Sequence, residues 1–104
     1  MAETLRQKQS RFVRLLPELI HFADDHGYEL TLGEAYRPPA QSRKGGSLHS
    51  SRLAIDLNLF RDGVWLKKTE DHRELGEFWE SIGGTWGGRF GDGNHYSISH
   101  AGLK

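Results

Sequence analysis

Hydrophobic residues recur every three or four positions over residues 4–26, which is the spacing of one face of an α-helix. The pattern predicts a helix that buries this face in the protein core and ends at Gly27. Pro17 lies inside the pattern and removes one backbone donor, so we expect a kink or a split into two helices. The apolar face consists of Leu5, Phe12, Leu15, Leu16, Leu19, Ile20 and Ala23.

Two further segments alternate apolar and polar residues, as β-strands with one buried face do. Residues 28–36 predict one strand, which ends before Pro38-Pro39. Residues 53–60 predict a second strand that buries leucine and isoleucine side chains, and Asp56 therefore points away from the core. Residues 42–46, which are small, basic and rich in glycine, predict a mobile loop.

The second half of the chain predicts a hairpin followed by a helix. Asp62-Gly63 is typical of a tight hairpin turn, so residues 64–66 are predicted to return as an antiparallel strand. A helix is expected to begin at Thr69 as N-cap, with acidic residues in its first turn, and to end at Gly83. We interpret His72 as a neutral surface residue. The buried face of this helix consists of Leu75, Phe78, Trp79 and Ile82.

Residues 83–93 contain six glycines, which predict a sharply turning loop. We hypothesise that this loop forms one wall of a cleft and that Trp86 faces a substrate there. Residues 95–99 alternate again and predict a last strand with His95 on its polar face. Together the elements predict an α+β fold, in which a small antiparallel sheet packs with two main helices. The length of 104 residues predicts a single domain, residues 1–104.

His49, Asp56 and His95 together offer two imidazoles and one carboxylate. Seven residues separate the first two, which would put them on opposite faces of one straight strand. The chain therefore has to turn between them, and Ser50-Ser51 is the predicted turn. Two imidazoles and a carboxylate suit zinc and leave one coordination position open, as catalytic zinc sites do.

These residues resemble a motif of the M15 zinc peptidases, the group that includes VanY and the D-alanyl-D-alanine carboxypeptidases. Asp92 and His95 match the acidic-x-x-His end of the motif, and the resemblance extends from about Gly27 to Ser99. Arg52 departs from the pattern, because the family usually has glycine there, and a bulky cation beside the site is expected to alter the loop and the substrate preference. The residues that match the first part of the motif, S-x-H-x-x-G-x-A-x-D, are Ser47, His49, Ala54 and Asp56.

The resemblance implies a Hedgehog/DD-peptidase-like fold with one zinc ion per chain on the sheet, held by His49, Asp56 and His95. It also implies peptide hydrolysis without a covalent intermediate, with Asp92 as general base. Residues 34–37 and Gln41 look like the segment that carries the family's substrate-side arginine. The resemblance thus implies that Arg37 supports the developing oxyanion, and that Arg37, Gln41 and Ser47 contact the substrate.

The short chain looks most like the phage endolysin branch of this family, whose members cut the stem peptides of peptidoglycan. We expect cleavage between L-alanine and D-glutamate, and removal of terminal D-alanine by a carboxypeptidase is the alternative within the family. The expected partner is the peptidoglycan stem peptide, and the expected assembly is a monomer.

Fourteen basic and fourteen acidic residues give no net charge, so nucleic acid and membrane surfaces are not expected partners. The chain has no cysteine, and any metal must therefore use histidine and carboxylate ligands. The first residues contain no apolar signal segment, so we expect a protein that is cytoplasmic as synthesised and acts at the cell wall after release.

Two functions of other classes are compatible with parts of the sequence. A metal-dependent nuclease is suggested by Asn94-His95 and the nearby His100, but the neutral charge disfavours it because phosphate contacts need clustered basic residues. A non-catalytic module that binds wall peptides would keep the same cleft. The presence of every candidate catalytic group disfavours that second alternative.

Overall fold

The computed structural model describes residues 2–41 and 46–104, and it has the predicted α+β architecture of two helices and a small antiparallel sheet. The predicted loop at 42–46 lies outside the described residues except for Gly46. Short 3-10 turns occur at Pro39–Gln41, Thr69–His72 and Gly87–Phe90. The helices and strands within these ranges are α1 (Leu5–Asp25), β1 (Glu29–Leu32), β2 (Ala54–Arg61), β3 (Val64–Leu66), α2 (Arg73–Ser81), β4 (Thr85–Trp86) and β5 (His95–Ser97).

Strand β2 is the centre of the sheet, which has the order β1-β2-β5-β4. β1 pairs with one edge of β2, while β5 and β3 share the other edge. β5 pairs with the first half of β2 and β3 with the second half. The strands β3 and β5 therefore diverge from each other along this edge of β2. Asp62 and Gly63 connect β2 to β3 with positive φ angles of 52° and 76°, which confirms the predicted hairpin turn.

Helix α1 runs without interruption through Pro17, so of the two predicted outcomes, a kink or a split into two helices, the split does not occur. Pro17 is exposed, and so is Val13 four residues earlier, whose carbonyl loses its usual partner on the solvent side of the helix. The buried face is also narrower than predicted, because Leu5 and Ile20 are 40% and 50% exposed. No helix in the described ranges combines the length and the apolarity needed to cross a lipid bilayer. The buried residues of α1 are Phe12, Leu19 and Ala23.

Trp79 of α2 joins the helices to the sheet. Its ring is fully buried and meets the edge of Phe12 from α1, with 6.0 Å between the ring centroids. On the sheet side it meets Tyr96 of β5 at 6.3 Å, and its Nε1 donates a hydrogen bond to the Ser97 carbonyl at 2.9 Å. The core therefore lies between the helices and one face of the sheet. The polar side chains of β2 lie on its other face.

The segment before α2 differs from its prediction. Residues 69–72 form a 3-10 turn rather than the first turn of the helix, and Asp71 caps it by accepting a hydrogen bond from the Lys68 backbone N at 3.0 Å. The Thr69 hydroxyl does not cap the helix and instead accepts from the Gly93 backbone N at 3.2 Å. His72 is buried, so its predicted surface position is wrong.

Candidate active site

Asp56 and His95 face each other across neighbouring strands of the sheet. Asp56 lies on the polar face of β2, as the alternation of the sequence predicts, and its backbone N donates to the Glu34 carbonyl at 2.8 Å. His95 begins β5 directly opposite, and its ring Nδ1 lies 3.7 Å from Asp56 Oδ1. The register of two antiparallel strands therefore fixes the distance between these side chains.

His49 reaches the same place from a turn rather than a strand. The Ser50 backbone N donates to the Ser47 carbonyl at 3.1 Å, and the Leu53 N donates to the Leu48 carbonyl at 2.9 Å. These bonds reverse the chain just before β2, which confirms the predicted turn at Ser50-Ser51. His49 Nε2 consequently lies 3.2 Å from Asp56 Oδ1.

Both imidazoles present a lone pair to Asp56 in their neutral forms. His49 Nδ1 donates to the Ala35 carbonyl at 3.4 Å, which leaves Nε2 without a proton on the side of Asp56. His95 Nε2 donates to the Lys104 carbonyl at 3.1 Å, which leaves its Nδ1 without a proton on the same side. In a metal-binding histidine, one ring nitrogen binds the metal and the other usually donates its N–H to a carbonyl or carboxylate oxygen.

The three side chains fit a metal ion. One donor atom from each of His49, Asp56 and His95 lies within 4.8 Å of the others. Donors about 2.0–2.1 Å from a tetrahedral zinc ion are about 3.3 Å apart, close to the 3.2 and 3.7 Å found here. Asp56 Oδ1 is also fully buried and accepts no hydrogen bond of good geometry, which a buried carboxylate oxygen needs unless a cation neutralises it.

Electrostatics keep Asp56 ionised. Burial raises the pKa of Asp56, but the electrostatic interaction with the His49 and His95 imidazoles outweighs burial and lowers it to about 2. Burial also lowers the pKa of His49, but Asp56 outweighs burial and raises it above the usual value. The carboxylate is therefore available as a ligand at neutral pH, and a metal ion at this place would compete with a proton on His49.

A cavity of about 390 Å³ opens over these groups. Arg37 enters it from the segment after β1 and donates from Nη1 to the Ser47 hydroxyl at 3.3 Å. The same hydroxyl accepts from the His49 backbone N at 3.1 Å, so Ser47 connects the arginine to the turn that carries His49. The side chains that line the cavity include Arg37, Ser47, Leu48, His49, Asp56, Phe90, Asp92, His95 and Leu103.

Residues 40–98, more than half of the chain, match the family model of M15 peptidases described as D-alanyl-D-alanine carboxypeptidase. The chain belongs to the M15 peptidase family. No curated protein matches it. All three candidate ligands lie inside the matched range, together with Asp92, whereas Arg37 lies just before it.

Asp92 of this M15 peptidase lies beside the group formed by His49, Asp56 and His95. It follows the 3-10 turn at residues 87–90, and its side chain is 46% exposed with Oδ2 3.9 Å from His95 Nδ1. Gly87 permits this arrangement, because a Cβ there would lie 2.2 Å from the Asp92 carbonyl oxygen and 2.6 Å from the His95 Cβ. The sequence therefore needs glycine where the loop passes the site.

Glu34 is a further carboxylate of the M15 site, and sequence reasoning missed it as an individual residue. Its Oε1 forms an ion pair with Arg37 and lies 3.9 Å from His49 Nε2. The hydrogen bond from Arg37 lowers the pKa of Glu34, so this carboxylate is a weak base. The sequence signal for this ion pair was the position of Glu34, three residues before Arg37 in an extended segment.

Two predicted substrate contacts are not found in the cavity. Trp86 is fully buried in the core, where its Nε1 donates to the Gly93 carbonyl at 2.8 Å, so the prediction that it faces a substrate is wrong. Its ring packs directly on Gly76, where a Cβ would lie only 2.0 Å from the nearest ring atom. Phe90, half exposed, is the aromatic residue of that loop that lines the cavity. Gln41 is exposed and is not among the lining residues of the described chain.

Arg52, which replaces the usual glycine of the family motif, has a φ angle of 57°. This left-handed conformation is easy for glycine and costly for residues with a side chain, which explains the family's preference. The Arg52 guanidinium stacks 4.3 Å from the ring centroid of Tyr36, and the side chain does not line the cavity. The contact between Arg52 and Tyr36 therefore lies outside the cavity, next to the segment that carries Arg37.

Proposed function

We propose that this M15 peptidase is a zinc-dependent peptidoglycan peptidase that hydrolyses an amide bond of the stem peptide, between L-alanine and D-glutamate. The observation that carries the proposal is the group formed by His49, Asp56 and His95, with the buried, unbonded Asp56 Oδ1 at its centre. The absence of net charge supports a wall-peptide substrate over nucleic acid, and in this proposal the protein is an endolysin-like enzyme that acts at the wall after release, as a monomer.

His49, Asp56 and His95 would hold the zinc ion. Bound zinc supplies a Lewis acid that polarises a carbonyl and lowers the pKa of water toward neutrality. Asp92 would take the proton of the attacking water and return a proton to the leaving amine. Its carboxylate suits this role better than that of Glu34, because Glu34 is already paired with Arg37.

Arg37 would stabilise the negative charge that develops on the carbonyl oxygen during attack. Its guanidinium lines the cavity and is held in place by Glu34 and the Ser47 hydroxyl. A fixed donor of this kind needs little reorganisation during the reaction. Ser47 acts through Arg37 and His49 in this proposal and is not a nucleophile.

Removal of terminal D-alanine is the second candidate, because the matching family model carries the description of a D-alanyl-D-alanine carboxypeptidase. Both reactions would use the same metal-binding group and the same general base. Mass spectrometry of purified muropeptides after digestion separates them, because the released fragment identifies the bond. We expect cleavage between L-alanine and D-glutamate; loss of a single D-alanine would favour the carboxypeptidase, and intact muropeptides would contradict both.

Elemental analysis tests the metal site independently of turnover. We expect one zinc ion per chain, and we expect His49→Ala and His95→Ala to lose most of it because each removes one of three ligands. His26→Ala, at an exposed histidine far along the chain from the group, is the matched control and should retain zinc. Full zinc content in either ligand variant would refute the ligand assignment.

A further inference from the structure

A second cavity of about 260 Å³ adjoins the catalytic cavity and shares Asp92 with it. It lies where β3 and β5 separate along the same edge of β2, and we call it the fork cleft. Lys67 and Trp65 line it on the side of β3, His72 lines it from the turn before α2, and Asn58 lines it from β2. The fork cleft therefore continues the catalytic cavity beyond Asp92.

The polar face of β2 connects the two cavities. Asp56, Asn58 and Phe60 are two residues apart and share this face, and Trp65 stands opposite Phe60 on β3. Asp56 and Phe60 are separated by about 13 Å at the usual rise of about 3.3 Å per strand residue. An extended peptide that starts at the metal-binding group thus reaches Trp65 within about four residues.

The fork cleft offers positive charge and an aromatic surface. The Lys67 ammonium lies 4.5 Å from the centroid of the Trp65 ring, and Trp65 is half exposed. An ammonium next to an exposed ring attracts a negatively charged group and provides apolar surface for the atoms attached to it. Lys67 is the basic residue that lines this cleft among the described residues.

His72 adds a buried donor to the same cleft. Its ring is 2% exposed, and Tyr96 OH lies 2.8 Å from Nδ1. Because the Tyr96 hydroxyl occupies Nδ1, Nε2 is the ring nitrogen that remains to hydrogen-bond a ligand in the fork cleft. When Nδ1 accepts from the Tyr96 hydroxyl, Nε2 carries the proton of the neutral ring and can donate to a ligand oxygen.

We propose that the fork cleft is a substrate subsite that binds a carboxylate of the stem peptide, two to four residues from the bond that is cut. Lys67 supplies the positive charge, His72 supplies a hydrogen-bond donor at Nε2, and Trp65 supports the adjoining backbone. This subsite rests on the proposed function, because it defines which stem peptides the catalytic cavity receives. The enzyme accordingly selects stem peptides whose carboxylates are free over those whose carboxylates are amidated.

Steady-state kinetics of the zinc-loaded full chain test this proposal with two synthetic stem tetrapeptides, the free acid and its carboxamide analogue. Lys67→Met removes the charge and keeps most of the side-chain length. We expect it to raise KM for the acid by about two- to five-fold, the range for a solvent-accessible ion pair, with kcat unchanged. KM for the carboxamide should stay the same, so the preference for the acid should disappear.

Lys68→Met is the matched control, because Lys68 is an exposed neighbour that does not line the fork cleft. It should keep the parent's KM for both peptides. Equal KM values for acid and carboxamide in the parent, or an unchanged KM for the acid in Lys67→Met, would overturn the subsite while leaving the peptidase function in place.

Peptide binding monitored by NMR distinguishes failure of the subsite from failure of the proposed function. If the parent cleaves neither tetrapeptide, the proposed function fails, and the 15N-labelled protein is titrated with the free acid. Shifts of the Trp65 indole and Lys67 amide signals that are absent with the carboxamide would support the carboxylate subsite. Equal responses to both peptides, or no response, would overturn it.

Discussion

Asp92 and Glu34 are two carboxylates beside the same imidazoles, and their surroundings assign them different roles. Glu34 is paired with Arg37, whereas Asp92 is nearly half exposed beside His95. Asparagine at position 92 keeps the size of the side chain but cannot accept a proton. Asp92→Asn should therefore fold, bind zinc like the parent, and lose about 10²–10⁴ of kcat, the usual contribution of a positioned base.

Parallel measurement of zinc content and kcat checks this prediction, with Glu34→Gln as the comparison. A loss of zinc in Asp92→Asn would make Asp92 a ligand. Full activity in Asp92→Asn, together with a large loss in Glu34→Gln, would transfer the role of base to Glu34.

Arg52 gives a residue-scale test of backbone conformation. Arg52→Ala and Arg52→Gly both remove the stacking on Tyr36, so the difference between them isolates the effect of the left-handed φ angle. We expect the glycine variant to be more stable than the alanine variant by about 1 kcal/mol. Urea denaturation measures the difference, and equal midpoints would show that this conformation carries no cost here.

The positions of His49, Asp56 and His95 were predictable because each depends on a local pattern. Alternation placed Asp56 and His95 on polar faces, and the odd spacing from His49 required a turn. Trp86 was not predictable in this way, because its burial depends on Gly76, ten residues earlier in a different element. Glycine density indicates close approach of the backbone, but it does not identify which side chain fills the space.

At the scale of elements, α1 contains two adjacent apolar residues that the sequence pattern predicts to be buried, and they differ in exposure. Leu19 is fully buried, whereas Ile20 is half exposed. Leu19→Ala should destabilise the protein by about 2–5 kcal/mol because it leaves a cavity in the core. Ile20→Ala is the matched control and should change stability by less than about 1 kcal/mol. Similar melting temperatures for the two variants would contradict this assignment of the buried face.

The segment after β5 is an element whose role only the structure reveals. Ala101 and Gly102 have positive φ angles and form a turn closed by hydrogen bonds between His100 and Leu103, which brings the Lys104 carbonyl to His95 Nε2. This bond fixes the tautomer that presents the Nδ1 lone pair to the side of Asp56. Removal of Lys104 should therefore weaken zinc binding about ten-fold, whereas Lys104→Ala keeps the backbone oxygen and should bind like the parent.

Competition with a chelator measures the affinity, and 15N NMR of the His95 ring in the zinc-loaded protein reports the tautomer directly. A shortened chain with unchanged affinity and unchanged His95 signals would show that other contacts orient the ring.

At the scale of the whole molecule, the chain carries equal numbers of basic and acidic residues, so its response to pH depends on a few buried groups rather than on net charge. Asp56 in the candidate site and His72 in the core are two such groups. The sequence placed His72 on the surface because the start of α2 was predicted one turn too early. Long-range packing against Tyr96 of β5 decided its burial, and no local pattern encodes that contact.

Buried His72 should make the protein less stable in mild acid. Burial lowers its pKa from 6.5 to about 4, so the unfolded chain takes up a proton at a pH where the folded protein does not. The stability contributed by neutral His72 is complete above about pH 6.5 and is lost as pH falls toward 4, by about 3 kcal/mol in total.

Urea denaturation of the zinc-free protein between pH 7 and 4.5 measures this loss. In His72→Gln, which cannot take up the proton, the decrease in unfolding free energy over the same range should be smaller by most of that amount, whatever its stability at pH 7. Equal pH dependence in the parent and the variant would show that His72 is not the group that titrates.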